Sequence, residues 1–194
     1  TVLVPAGHAG ANKELLHNLE LPYQAVTSTD LYLTHYLNDS ANDPVMNRIR
    51  AQKLRNSEED KVKIFFVPSY LNGDDGVLNM PYYDLLVGMD LTAFPSYYEP
   101  WGYTPLESLA FKVPTITTTL AGFGLWVKEH YNMNHPGIEV IHREDGDASN
   151  VATAIAEWVK NYTQVGETEM QKDRDNAKDV SRIALWDNLI NYYK

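Results

Sequence analysis

Short apolar runs bounded by turn residues alternate with helical patterns along these 194 residues. That alternation constrains the fold more than any other feature. An apolar run of three to six residues suits a strand buried on both faces, as in a parallel sheet whose connections are helices. Strands are expected over 2–4, 62–67, 91–94, 115–117 and 138–141. Helices are expected over 44–54, with Asn42 or Asp43 near the N-cap, and over 81–87 and 104–111. A further short helix follows Gly122-Phe123-Gly124 and runs through His130. Another starts at Asp147 or Ser149 and ends near residue 162, and a last one covers 167–193 with a bend near Ser181. The segment 70–79, with Gly73-Asp74-Asp75-Gly76, reads as a surface loop and not as a domain boundary. The fold class is α/β, a Rossmann-like parallel sheet with flanking helices, in a single domain over 1–194.

Composition narrows the partners. Hydrophobic residues make up 44% and charged ones 22%, which is the balance of a folded globular chain. The net charge of −10, from 16 basic and 26 acidic residues, argues against a nucleic acid or an anionic membrane as partner. There is no cysteine, so disulfides and thiolate metal sites are excluded. No apolar run approaches the ~20 residues of a membrane-spanning helix, and no signal peptide is visible. The opening Thr1-Val2-Leu3-Val4, without an initiator Met and inside a strand pattern, reads as a boundary within a longer protein.

The segment with the most chemistry is Ser96-Tyr97-Tyr98-Glu99-Pro100-Trp101-Gly102-Tyr103-Thr104-Pro105-Leu106-Glu107-Ser108. It joins an expected strand end to an expected helix, and it sets two carboxylates eight positions apart. Ligands of open α/β sheets bind outside the carboxyl ends of the strands, where Glu99 falls. A helix N-terminus beside it can hold a phosphate through its unpaired N–H groups and its dipole. Thr104 is a good N-cap with Pro105 at the first helical position, and Glu107 completes a Thr-x-x-Glu capping box. For Glu107 the spacing leaves capping and ligand contact equally open. For Glu99 the plain alternative is a solvated loop glutamate, and its position between strand and helix favours a ligand. The pattern suggests a nucleotide-sugar enzyme.

Other candidates are weaker. Tyr82 and Tyr83 could offer a stacking face for a base, although such pairs more often serve packing. Gly122-Phe123-Gly124 could admit a ligand close to backbone, or simply start a helix. His8, His17, His35, His130, His135 and His142 show no metal-ligand spacing. No nucleophile elbow is readable, and Asp74-Asp75 with Asp84 is too loose for a calcium loop. Lys172-Asp173-Arg174-Asp175 is most simply a solvated helix face.

The run Phe94-Pro95-Ser96-Tyr97-Tyr98-Glu99-Pro100-Trp101-Gly102-Tyr103-Thr104-Pro105 strongly resembles the animal and fungal type of glycogen synthase, glycosyltransferase family 3. The likeness extends upstream through Asn38-Asp39-Ser40-Ala41-Asn42-Asp43-Pro44, Ile49-Arg50 and Lys61-Val62-Lys63-Ile64. Downstream it takes in Val113-Pro114-Thr115-Ile116-Thr117-Thr118, Ala121-Gly122-Phe123-Gly124, Leu185-Trp186 and Tyr192-Tyr193. The resemblance implies the C-terminal, donor-nucleotide-binding domain of a two-domain GT-B enzyme. The N-terminal acceptor domain would be absent, and the 167–194 helix would be placed to pack back toward it. It implies a retaining transfer of glucose from UDP-glucose to the 4-hydroxyl of an α-1,4-glucan end, without a metal or other cofactor. Glu99 would act at the donor glucose, Glu107 would hold the ribose hydroxyls, and Tyr103 and Thr104 would give backbone N–H groups to the diphosphate. Trp101 and Gly102 would line the sugar pocket, and Tyr82 would stack on uracil.

Three departures qualify the likeness. The family's diphosphate-neutralising Arg and Lys would precede Thr1, so this segment alone is expected to be inactive. The arginine-rich regulatory helix of the eukaryotic enzymes corresponds to Gln171-Lys172-Asp173-Arg174-Asp175-Asn176-Ala177-Lys178, where interleaved aspartates speak against sugar-phosphate control. The chain after Pro5 is shorter than in those relatives, which fits a bacterial, cytoplasmic enzyme. The expected partners are a UDP-sugar and, through the missing domain, a glucan; a homo-oligomer stays open. Two alternatives remain: another retaining GT-B transferase with a different nucleotide-sugar donor, or a non-catalytic nucleotide-sugar-binding module. The Pro100-Trp101-Gly102-Tyr103 sequence and the second acid weigh against the first, and the intact acid pair weighs against the second.

Overall fold

The computed structural model describes residues 2–3, 7–20, 32–54, 56–57, 59–131 and 137–193, and the chain divides into two compact units, Thr1–Asp84 and Leu85–Lys194.

In the first unit, β1 (Val2–Leu3) is followed by β2 (His8–Ala11), α1 (Lys13–Glu20), β3 (His35–Leu37), α2 (Pro44–Ala51) and β4 (Phe66–Val67). β1 pairs with β4 in parallel, and β2 pairs with β3 antiparallel. The expected strand at 2–4 is thus present at Val2–Leu3, while Val4 lies outside the described residues. Asn12 anchors the start of α1. Its carboxamide oxygen accepts from the Glu14 and Leu15 amides, and its nitrogen donates to the Leu33 carbonyl. α2 begins as expected, with Asp43 accepting from the Met46 amide and Pro44 in the first turn. It buries Met46 and Ile49 against Tyr32, Leu33 and Phe66.

The expected strand at 62–67 shortens to Phe66–Val67. The cause is Asn56, whose side chain accepts from the Ile64 amide at 2.9 Å and donates to the Ile64 carbonyl at 2.7 Å. Both backbone groups of Ile64 are then satisfied by an amide side chain and not by a ladder. β2 and β3 were outside the expected set, because His8-Ala9-Gly10-Ala11 carries none of the β-branched residues that mark a strand.

α3 (Tyr82–Leu86) carries the chain into the second unit. There β5 (Thr92–Ala93), β6 (Thr115–Thr118) and β7 (Ile138–Ile141) form a parallel sheet in the order β5-β6-β7. The helices are α4 (Tyr103–Ala110), α5 (Gly122–His130), α6 (Ala148–Tyr162), α7 (Glu167–Ile183) and α8 (Trp186–Leu189), closed by a 3-10 turn at Ile190–Tyr193. This is the expected α/β architecture, a parallel sheet flanked by helices.

Residue parity along the strands assigns the two faces. Ile138 and Val140 face a core with Leu109 of α4, Phe123 and Val127 of α5, and Ala177 and Val180 of α7. Ile116 is in register with Glu139, so it shares the opposite face with Ile141, and there both meet Val151 of α6. β6 is the central strand, and all four of its residues are buried although three are threonines. Branching at Cβ suits them to a strand, and most of the hydroxyls find partners: Thr115 donates to the Val113 carbonyl and Thr118 to that of Ser96.

The last helix is not continuous to 193. α7 ends at Ile183, Leu185 is extended, and α8 starts anew. Asn188 reinforces this break by donating its side-chain amide to the Arg182 carbonyl, which also accepts from the Leu185 amide.

α7 also carries a buried acid. Asp173 is 3% exposed, and among the described residues its Oδ1 has no hydrogen-bond partner. Burial, reinforced by the nearby Glu169 carboxylate, pushes its pKa above the ordinary carboxylate value. A raised native pKa favours the protonated form, so this group helps stability below the ordinary carboxylate range, and the benefit is lost as pH rises through the raised value. Asp173→Asn is therefore expected to stabilise the chain at neutral pH, with the gain shrinking toward acid pH. Urea unfolding of both forms across that range checks the sign.

Candidate active site at the end of the central strands

After β5 the chain leaves the sheet and forms the loop that carries Glu99. The Phe94 amide still donates to Ile116 of β6, and the Ser96 amide turns back onto the Phe94 carbonyl. Three backbone hydrogen bonds then fix the next stretch. The Glu99 amide donates to the Leu120 carbonyl at 3.1 Å, the Gly122 amide to the Glu99 carbonyl at 3.0 Å, and the Phe123 amide to the Trp101 carbonyl at 2.6 Å. Glu99 and Ala121 thereby form an isolated parallel bridge beyond the end of the sheet.

These contacts require glycine at position 122. A Cβ there would collide with the Pro100 carbonyl oxygen. The amides of Gly122 and Phe123 would otherwise be unpaired at the α5 N-terminus. Here they serve the loop instead, so the glycine segment binds protein backbone.

α4 begins differently from expectation. Its N-cap is Gly102, at φ 102°, with no side-chain cap, and the helix starts at Tyr103. Thr104 is thus inside the helix and is not its cap, and Pro105 is the third helical residue and not the first. The capping box does not form. Glycine reaches a left-handed conformation at little steric cost and turns directly into the helix, whose first residue is Tyr103 in place of Pro105. Pro105 is tolerated because first-turn amides have no intrahelical partner anyway.

This correction bears on Glu107. Without a capping box, its carboxylate has no structural duty at the helix start. Among the described residues neither the Glu99 nor the Glu107 carboxylate is hydrogen-bonded or ion-paired to a protein group, and both side chains are half-buried. The Tyr103 and Thr104 amides point out of the same helix end, with no cap side chain to take them.

The structure thus gathers Glu99, Trp101, Gly102, Tyr103, Thr104 and Glu107 on one loop–helix corner. Gly102 is packed under Glu99, since a Cβ on it would stand 3.3 Å from Glu99 Cγ and 3.7 Å from Ala121 Cβ. Trp101 turns its indole to α5, with ring centroids 5.7 Å from Phe123 and 5.8 Å from Trp126. Tyr103 is exposed. Tyr82 opens α3 in the first unit, its ring 5.4 Å from that of Tyr83 and its amide donating to the Leu71 carbonyl. Among the described residues no group of three or more His, Asp or Glu side chains is placed to hold a metal ion.

One contributor escaped the sequence reading. Arg143, just past β7, is 5% exposed and reaches back to the loop before Glu99. Its only sequence signal is its place at the carboxyl end of a buried strand.

The glycogen synthase family model matches residues 17–194. The chain belongs to the glycogen synthase family. It is 32% identical over 166 residues to glycogen [starch] synthase isoform 1 of Saccharomyces cerevisiae, covering 84% of this chain and 23% of that protein. With glycogen [starch] synthase of Neurospora crassa it shares 34% over 158 residues, 81% of this chain and 22% of the relative. With that of Caenorhabditis elegans it shares 35% over 157 residues, 79% and 23%. The chain therefore spans about a quarter of the length of the curated relatives it matches. Membership agrees with the resemblance carried by the Glu99–Glu107 segment. Among the described residues no helix is long and apolar enough to cross a membrane.

The packing at Gly122 gives a test with a definite sign. Helix propensity alone makes alanine better than glycine by ~1 kcal/mol in a helix. The collision with the Pro100 carbonyl predicts the reverse, so Gly122→Ala should lose about 1–3 kcal/mol, the usual cost of overpacking. Urea denaturation of the two proteins decides between them.

Proposed function

We propose that this chain is the donor-binding part of a retaining glucosyltransferase that moves glucose from UDP-glucose to the 4-hydroxyl of an α-1,4-glucan end. The observation that carries the proposal is the pair of unengaged carboxylates flanking an open helix N-terminus, in a chain of the glycogen synthase family.

Each group has work suited to its position. The diphosphate sits at the α4 N-terminus, where the Tyr103 and Thr104 amides donate and the helix dipole favours negative charge. Glu107, one turn further along the same helix, accepts from the ribose hydroxyls. Glu99 lies where the donor glucose enters, and its carboxylate orients the sugar and stabilises the positive charge that develops at the anomeric carbon as the bond to phosphate breaks. Trp101 and Gly102 line that sugar pocket, the indole being braced by Phe123 and Trp126.

The acidic balance of the segment, −10 overall, fits a site completed by cations and acceptor contacts from the remainder of the protein. The 194-residue chain by itself is accordingly inactive. Transfer proceeds without a divalent metal, the α4 N-terminus and those cations carrying the leaving diphosphate. The enzyme works in the cytoplasm, where nucleotide sugars and glucans are available.

In the full-length protein, Glu99→Gln is expected to lower kcat by ~10²–10³-fold, the usual loss when one preorganised electrostatic group is removed. The unfolding free energy should stay within about 0.5 kcal/mol of wild type, since among the described residues no protein group bonds the Glu99 carboxylate. Near-normal turnover by this variant would overturn the role given to Glu99.

A further inference from the structure

Arg143 presents an unusual charge problem. It is 5% exposed, and among the described residues no carboxylate pairs with it. Burying an unpaired cation is costly unless other groups take over the work of a counter-ion. Three neutral groups do so, and all belong to the loop that leads to Glu99. Nη1 donates to the Pro95 carbonyl at 2.7 Å and lies 3.4 Å from the Ser96 carbonyl. The guanidinium carbon stands 3.6 Å above the Tyr97 ring centroid, a cation–π contact. Nε is buried and has no hydrogen-bond partner among the described residues.

The backbone of Arg143 is itself fixed. Its amide donates to Thr119 Oγ1 at 2.9 Å, and that hydroxyl donates on to the Arg143 carbonyl. The neighbouring Thr118 hydroxyl donates to the Ser96 carbonyl at 3.0 Å. Residues 95–97 are therefore held to the ends of β6 and β7 by side chains, just before Glu99 is held to Leu120 and Gly122 by backbone.

We infer that Arg143 is a positioning residue for the transfer reaction, a buried cation that fixes the Pro95–Ser96–Tyr97 segment and so aims the Glu99 carboxylate at the donor sugar. The inference rests on the proposed role of Glu99. It predicts an effect on the chemical step and not on donor affinity, because Arg143 is oriented by carbonyls and a ring and not by the nucleotide. Misplacing a reacting group by an ångström can cost ~10²-fold in rate.

The test is steady-state kinetics of the full-length protein carrying Arg143→Met, Arg143→Lys or Tyr97→Leu, with UDP binding measured by calorimetry. Arg143→Met is expected to lower kcat about 10- to 100-fold while KM for UDP-glucose and Kd for UDP change less than about threefold. Arg143→Lys should recover part of the rate, because it keeps the charge but loses the planar fork. Tyr97→Leu should lose rate in the same direction by a smaller factor, and it tests the contact even if Arg143→Met fails to fold. A rise in KM and Kd with kcat intact would make Arg143 a phosphate ligand and overturn the inference. So would unchanged kcat per correctly folded molecule, which would mean a structural role only. Those results with Glu99→Gln inactive would defeat this inference alone, whereas an active Glu99→Gln would defeat the functional reading beneath it.

Discussion

Two backbone hydrogen bonds, from the Gly122 amide to the Glu99 carbonyl and from the Phe123 amide to the Trp101 carbonyl, tie the start of α5 to the loop between β5 and α4. Much of what is distinctive in the second unit depends on this splice. It extends the parallel sheet by one bridge past its formal end, and it is possible only because residue 122 has no side chain to meet the Pro100 carbonyl.

The splice also differentiates two helix N-termini that share one corner. α5 uses its first amides to hold protein backbone. α4 begins on a left-handed glycine with no side-chain cap, so its first amides stay open. An open N-terminus flanked by two carboxylates that have no partner among the described residues suits a ligand that is anionic at one end and rich in hydroxyls at the other. A nucleotide sugar has that character, and the glycogen synthase family to which the chain belongs is consistent with it.

The elements set by local pattern were legible in the sequence. β7 was expected over 138–141 and is found there, and α2 starts at the proline that follows its Asp43 cap. What escaped depends on partners distant along the chain, or on a backbone conformation no residue type announces. Asn56 shortens β4 by serving Ile64. Gly102 was read as part of a loop, and its left-handed turn removes the capping box that Thr104 and Glu107 spell out. The candidate corner was visible because its residues are contiguous. Arg143 was not, because it meets Pro95 and Ser96 across 48 and 47 positions. The α7–α8 break lay a few residues past the expected bend, at Leu185, where the nearby Asn188 side chain meets the Arg182 carbonyl.

On the proposed function, the open amides at the start of α4 receive the donor diphosphate. Hydrogen–deuterium exchange of the full-length protein, with and without saturating UDP, tests it most directly. The Tyr103 and Thr104 amides, lacking intrahelical acceptors, are expected to exchange quickly in the free protein and to slow markedly when UDP is bound, while uridine gives little protection. Unchanged exchange at both amides in the presence of bound UDP would contradict it.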